Sequence, residues 1–140
     1  MRSGVNMQKY SYDQFEALTY FDATPDFESV TNTPRDYLEK CIEQIANKEQ
    51  DVKAFVTLNL ETARQLADES SRRWKNARQL SLIDGMPVGI KDLLDTFDMP
   101  TQMGCEAYNG YAPGNDNALV GALRQAGCII IGKTVIAELG

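Results

Sequence analysis

The sequence predicts an α/β fold in which helices are layered over a mixed, largely parallel sheet. Residues 33–78 carry apolar side chains at helical spacing, whereas residues 79–140 have the order strand, long loop, helix, strand. A strand–helix–strand unit favours a parallel pair with a right-handed crossover. We therefore expect an N-terminal extension over 1–32, a helical section over 33–78 and an α/β section over 79–140.

The N-terminal extension is polar, aromatic and poorly periodic. We expect a short helix around Tyr12–Tyr20 and loop over the remainder. A longer helix should begin at Thr33, because threonine is a good N-cap and the following Pro34 suits the first helical position. Its inward-facing residues are expected to be Leu38, Cys41, Ile42 and Ile45.

An extended segment is expected next, over 52–58, followed by a second helix that Asn59 caps and that ends near Lys75. The only serine pair of the chain, Ser70-Ser71, falls inside this helix. We interpret both serines as ordinary polar helix residues, since neither has a glycine beside it.

In the second half, Pro87 can begin a strand because it lacks the N–H that a central strand position needs. Val88 and Ile90 favour the strand, and Lys91 ends it. Asp116 is a candidate N-cap for a helix over 116–126 that stops at Gly127. A buried strand is expected over 128–131.

Lys91 is the candidate for chemistry, because ligands of open α/β sheets bind at the carboxyl ends of the strands. A lysine held there and stripped of water is less readily charged, and a neutral lysine is a base. The alternative is a solvated lysine at a strand end.

An ordered set of short motifs surrounds this lysine: Asp84–Asp92, Met99–Thr101, Gly104, Tyr111–Pro113 with Asp116, Leu123–Gly127, and Ile130–Thr134 closing at Glu138. With these motifs, residues 85–140 resemble the amidase signature family of amide hydrolases. Residues 33–67 resemble the family's N-terminal helices less specifically. The family's fold is the layered α/β fold expected above, and the resemblance implies that 79–140 is the first part of its α/β core, which continues beyond the chain end.

The resemblance implies a Ser–cis-Ser–Lys triad in which Lys91 is the base and an acyl-serine intermediate forms. Family members carry both serines in a glycine-flanked segment well after the lysine, and no serine lies between Lys91 and Gly140. Ser70-Ser71 precedes the lysine and does not substitute. We therefore expect an N-terminal part of an amidase that is inactive alone and hydrolyses amides as a complete protein.

Three other functions remain open. The first is a protein like the A subunit of the tRNA-dependent amidotransferases, which release ammonia from glutamine. The second is a non-catalytic scaffold of the same family. The third is a cysteine amidase using Lys91, Glu138 and either Cys105 or Cys128, although nothing in the spacing favours it.

Residues 127–134 match the phosphate-loop pattern G-x-x-x-x-G-K-[ST] in letters only. Three consecutive isoleucines favour an extended strand, whereas a phosphate loop needs permissive residues that curl around an anion. We therefore expect no nucleotide site there, and Lys133 and Thr134 are interpreted as residues that follow a strand near the amidase cleft.

The composition limits the partners and the compartment. A net charge of −6 and a pI near 4.6 do not favour nucleic-acid binding. No apolar run approaches the ~20 residues of a membrane span, and no secretory signal is visible, so a cytoplasmic location is expected. The partner expected is a small amide substrate, homodimer formation is left open, and no metal or organic cofactor is expected.

Histidine is absent, which excludes Ser-His-Asp and Cys-His catalysis and imidazole-dependent zinc sites within the chain. The three cysteines should be free thiols in a reducing compartment. Cys41 and Cys128 are expected in the core. Cys105, in a loop, should either pack there or line the site entrance.

Overall fold

The computed structural model describes residues 19–140, so the helix expected around Tyr12–Tyr20 lies outside the described residues except at its end. The helices are α1 (Tyr20–Glu28), α2 (Pro34–Val52), α3 (Leu60–Lys75) and α4 (Ala118–Gln125), and the strands are β1 (Phe55–Leu58), β2 (Pro87–Lys91) and β3 (Ile129–Thr134). A 3₁₀ helix covers Glu106–Tyr108. Within 19–140, no helix combines the length and the apolar character needed to cross a membrane.

The strands form one sheet in the order β1-β3-β2, with β3 in the centre. β2 pairs with β3 in parallel and β1 pairs with it antiparallel, which confirms the predicted mixed sheet and the parallel β2–β3 pair. β3 is buried almost throughout, as its run of β-branched residues predicts.

Helices cover both faces of the sheet, as the layered α/β prediction requires. On one face, Leu38 of α2 and the alanines of α3 pack against Ile129 and Ile131. On the other face, Val120 of α4 packs against Ile130 and Ile90. The small side chains Ala63 and Ala67 let α3 lie close to the strand.

The Thr33 cap of α2 is confirmed, because the threonine hydroxyl accepts a hydrogen bond from the Asp36 N–H at 3.1 Å. The loop predicted over the end of the N-terminal extension is wrong, since Tyr20–Glu28 is helical. Tyr20 and Phe27 of this helix are buried against Trp74 and its neighbours. This packing stabilises the helix although it contains Pro25, a residue that disfavours a helix interior.

The N-cap predicted at Asp116 is one residue too early. Asn117 caps α4 by accepting the Leu119 N–H at 2.9 Å. Asp116 instead accepts the Phe97 N–H at 3.0 Å and pairs with Arg124 at 3.1 Å. Both side chains are good caps by chemistry, so only the tertiary contacts decide between them.

Asp84 joins the helices to the α/β core. Its buried carboxylate accepts two hydrogen bonds from Arg73 of α3, at 2.6 and 2.7 Å. Its carbonyl accepts from Trp74 at 2.8 Å and from the hydroxyl of Tyr20. One residue thus connects α1, α3 and the turn that leads into β2.

Candidate active site

The candidate site lies where β2 and β3 end side by side. Lys91, the last residue of β2, is the register partner of Thr134, the last residue of β3. The pairing extends one residue further, because the Asp92 N–H donates to the Thr134 carbonyl at 3.0 Å. Both strands therefore deliver polar residues to the same edge of the sheet, where α/β folds bind ligands.

A register shift in β3 decides which face of the sheet each of these residues occupies. Val88 pairs with Ile130 but Gly89 pairs with Gly132, so Ile131 has no partner in β2. Side chains alternate along a strand, and one extra residue reverses the faces beyond it. Lys133 therefore pairs with Ile90 and shares its face of the sheet.

Lys133 is fully buried and forms an ion pair with Asp92, which is 1% exposed. Its ammonium nitrogen lies 3.1 Å from the Asp92 carboxylate, 2.8 Å from the Thr101 hydroxyl and 3.1 Å from the Pro100 carbonyl. The contacts with Thr101 and Pro100 are hydrogen bonds, and the contact with Asp92 is an ion pair. Lys133 is thus a buried lysine with two acceptors and a carboxylate partner.

Lys91 lies on the opposite face and is exposed within the described residues. Its ammonium nitrogen donates to the Val135 carbonyl at 2.7 Å, and this is its one hydrogen bond to residues 19–140. Residues 19–140 therefore do not desolvate Lys91, and its loss of water stays a prediction for the complete enzyme. The cause is strand alternation, which buries Ile90 and turns Lys91 away from the same core.

The loop after β2 folds back onto the strand ends through Asp92. The Gln102 N–H donates to the Asp92 carboxylate at 3.2 Å, and the Met103 N–H donates to the Asp92 carbonyl at 3.0 Å. Gly104 follows with φ +62°, and a Cβ there would lie 2.6 Å from the Ile136 carbonyl oxygen. Glycine is needed for this close approach between the loop and the segment after β3.

The other candidate residues are not assembled around Lys91. Ser70 and Ser71 lie in α3, where Ser71 donates to the Ala67 carbonyl at 2.7 Å. Cys128 lies at the amino end of β3, the end opposite to Lys91. The isoleucines of the phosphate-loop pattern are extended strand, as predicted. The strand also includes Lys133 and Thr134, so the prediction that these two residues follow it is wrong. Among residues 19–140, no three acidic or cysteine side chains cluster as metal ligands.

The sequence argument missed the buried pair of Asp92 and Lys133. A lysine two residues after a run of three isoleucines is the available signal, because a charge buried with such a strand requires a partner. The sequence places Lys133 only as a residue after a strand. The one-residue register shift that carries it to the face of Ile90 has no sequence signature.

Known proteins resemble this chain over most of its length. The Amidase family model matches residues 36–140. The chain is 33% identical over 106 residues to the A subunit of the mitochondrial glutamyl-tRNA(Gln) amidotransferase of Macaca fascicularis, and equally to the corresponding protein of Rhodopirellula baltica. Each match covers 76% of this chain and about a fifth of the relative, 20% and 21%.

Solved structures of amide hydrolases have the same fold as this chain. The native peptide amidase of Stenotrophomonas maltophilia superimposes with a TM-score of 0.79 at 27% identity, covering 87% of this chain and 26% of that chain. Fatty acid amide hydrolase superimposes with a TM-score of 0.76 at 14% identity, which shows a shared fold.

Proposed function

This chain belongs to the amidase family, and we propose that the complete enzyme built on it hydrolyses small carboxylic amides with Lys91 as the base. The neutral Lys91 amine accepts a proton from a bridging serine, which accepts one from the nucleophilic serine. The serine oxygen bonds to the amide carbon, the C–N bond breaks, and the nitrogen leaves protonated as ammonia or an amine. Water then cleaves the acyl-serine ester.

The observation that carries this proposal is the different bonding of the two lysines at the strand ends. Lys133 donates hydrogen bonds to Pro100 and Thr101 and forms an ion pair with the Asp92 carboxylate. Lys91 has one acceptor among residues 19–140, the Val135 carbonyl, and it is exposed there. Of the two, Lys91 has donors free to exchange protons with a second group.

The two serines of the proposed Ser–cis-Ser–Lys triad lie outside residues 92–140, which contain no serine. We propose that they are contributed by the part of the enzyme that corresponds to the remaining length of the relatives, of which this chain spans about a fifth. Packing of that part over Lys91 would remove its water. Desolvation of this kind is what turns a lysine into a base.

A second candidate function is release of ammonia from glutamine within a tRNA-dependent amidotransferase. The glutamyl-tRNA(Gln) amidotransferase relatives, at 33% identity, favour it. The chemistry at Lys91 would be the same, with the glutamine side-chain amide as the substrate and ammonia passed to a partner protein.

The setting of the proposed enzyme is a reducing compartment, and we propose the cytoplasm. The free thiols of Cys41, Cys105 and Cys128 support it. The proposed partner is the amide substrate, with no nucleic-acid contact by this acidic part of the enzyme and no membrane association. Homodimer formation stays a prediction for size-exclusion measurement.

The experiment that tests the function uses the complete enzyme with a panel of small amides and with glutamine, each with and without charged tRNA and partner proteins. Ammonia release from simple amides without partners supports the hydrolase. Ammonia release from glutamine only with partners supports the amidotransferase. No release under either condition contradicts both.

A further inference from the structure

We propose that the buried ion pair of Asp92 and Lys133 positions Lys91 for proton transfer. This role rests on the proposed function of Lys91 as the base. The pair does not touch substrate in this proposal. It fixes the main chain from which the Lys91 side chain projects, and it does so from the opposite face of the sheet.

The first step is the bonding of Asp92, the residue that directly follows Lys91. Its N–H donates to Thr134 and its carbonyl accepts from Met103, both at 3.0 Å. Its carboxylate accepts the Gln102 N–H and forms the ion pair with the Lys133 ammonium. Every polar group of Asp92 is therefore engaged, so the residue that follows Lys91 is held by contacts with β3 and with the loop.

The second step is the bonding of Lys133, which joins three elements at one nitrogen. It starts from β3, pairs with Asp92 at the end of β2, and donates to Pro100 and Thr101 of the loop. An apolar side chain of the same length would fill the space, but it would impose no direction on these groups. Charge-assisted hydrogen bonds are directional, so they fix the strand end and the loop relative to each other.

The third step links this network to the Lys91 amine. Lys91 donates at 2.7 Å to Val135, which follows β3 two residues after Lys133. The separation of the Lys91 nitrogen and the Val135 carbonyl depends on how the ends of β2 and β3 are held together. Asp92 and Lys133 hold those ends together, on the other side of the sheet.

A test on the 140-residue chain measures hydrogen exchange of the amides of Asp92, Leu94 and Met103, which bond to Thr134, Lys91 and Asp92 respectively. Asp92→Asn should speed their exchange about tenfold or more, because it opens the network locally. The matched control is Asp68→Asn, which removes a carboxylate from the surface ion pair with Arg35 at 2.6 Å. Unchanged exchange in Asp92→Asn would overturn the proposal, whatever the activity.

The second test measures kinetics of the complete enzyme. Asp92→Asn and Lys133→Met should each lower kcat about a hundredfold with KM within about twofold, since small misplacements of reacting groups act on kcat. Lys133→Arg keeps the charge beside Asp92 and should recover most of the loss. Wild-type kcat in both neutralised variants would overturn positioning.

The double variant Asp92→Asn/Lys133→Met separates positioning from folding. It leaves no unpaired buried charge, so the melting temperature should recover relative to the single variants, while kcat stays low. Recovery of kcat together with stability would show a purely structural pair and overturn the proposal. An inactive wild type would refute the proposed function instead, and the exchange measurement would still decide whether the pair fixes the Lys91 end of β2.

Discussion

The Lys91 ammonium donates to the Val135 carbonyl at 2.7 Å, so the last side chain of β2 reaches across to the segment that follows β3. Because this contact is exposed and made to backbone, the fold does not depend on it. The lysine on which the fold does depend is Lys133, which is buried with Asp92 on the other face of the sheet. The strand ends therefore carry one buried, ion-paired lysine and one exposed lysine.

Thr101→Val should destabilise the chain more than Thr96→Val does. The Thr101 hydroxyl accepts from the charged Lys133 at 2.8 Å, whereas the Thr96 hydroxyl donates to the neutral Met99 carbonyl at 3.1 Å. Hydrogen bonds to charged groups are worth about 1.5–3 kcal/mol and neutral ones about 0.5–1.5 kcal/mol. Urea unfolding of both variants measures the difference, and equal losses would contradict the role given to Lys133.

Gly127→Ala should unfold at a markedly lower temperature than the wild type. Gly127 has φ +91°, and an added Cβ would lie 2.5 Å from the Asp84 carboxylate, which is held by Arg73. The matched control is Gly121→Ala in α4, where the added Cβ meets nothing within 4 Å. Since alanine is the better helix former, the control should gain about 0.5–1 kcal/mol. A neutral Gly127→Ala would contradict the close packing of the turn on Asp84.

The Cys128 thiol should stay unreactive between pH 7 and 9 while the chain is folded. Burial, with a contribution from the Asp84 charge, raises the pKa of this thiol to about 11. A thiol reacts as thiolate, so little reactive species is present in that range. Alkylation followed by peptide mass spectrometry should label Cys128 only after denaturant is added. Equal labelling in the folded and unfolded chain would show that the amino end of β3 is open.

Glu39→Gln should weaken the loss of stability in acid. Hydrogen bonds from Arg64 and from Arg35 lower the pKa of the Glu39 carboxyl to about 2. A carboxyl whose pKa is depressed on folding adds stability above its unfolded value near 4.5, and that stability is lost as pH falls toward 2. Melting curves from pH 6 to pH 2 measure the slope. Glu43→Gln, an exposed residue of the same helix, is the control; an identical slope in both variants would remove Glu39 as a contributor.

Much of this fold follows from local chemistry. Thr33 and Pro34 predict the start of α2 because capping involves neighbouring residues alone, and the isoleucines of β3 predict a buried strand because β-branched side chains favour it. The helix α1 did not follow, since its stability comes from Trp74, a residue distant in the chain. The same limit applies to the Asp116 prediction.

The location of the candidate site at the sheet edge could be predicted from the sequence, but the contacts of its side chains could not. A strand that ends in lysine places Lys91 at the carboxyl edge of a parallel sheet, and the structure has it there. Which lysine is buried depends on the register shift at Ile131, and register is set by pairing between strands rather than by one strand's sequence. The sequence argument considered loss of water only for Lys91, whereas the lysine buried within residues 19–140 is Lys133.

The most direct test of the central claim is the turnover of Lys91→Ala in the complete enzyme, measured as ammonia release and compared with Lys48→Ala, a substitution of a surface lysine on α2. Because a positioned base contributes about 10²–10⁴-fold, kcat should fall by that factor in Lys91→Ala while the melting temperature stays near that of the wild type. Turnover equal to that of the Lys48→Ala control would show that Lys91 is not the base.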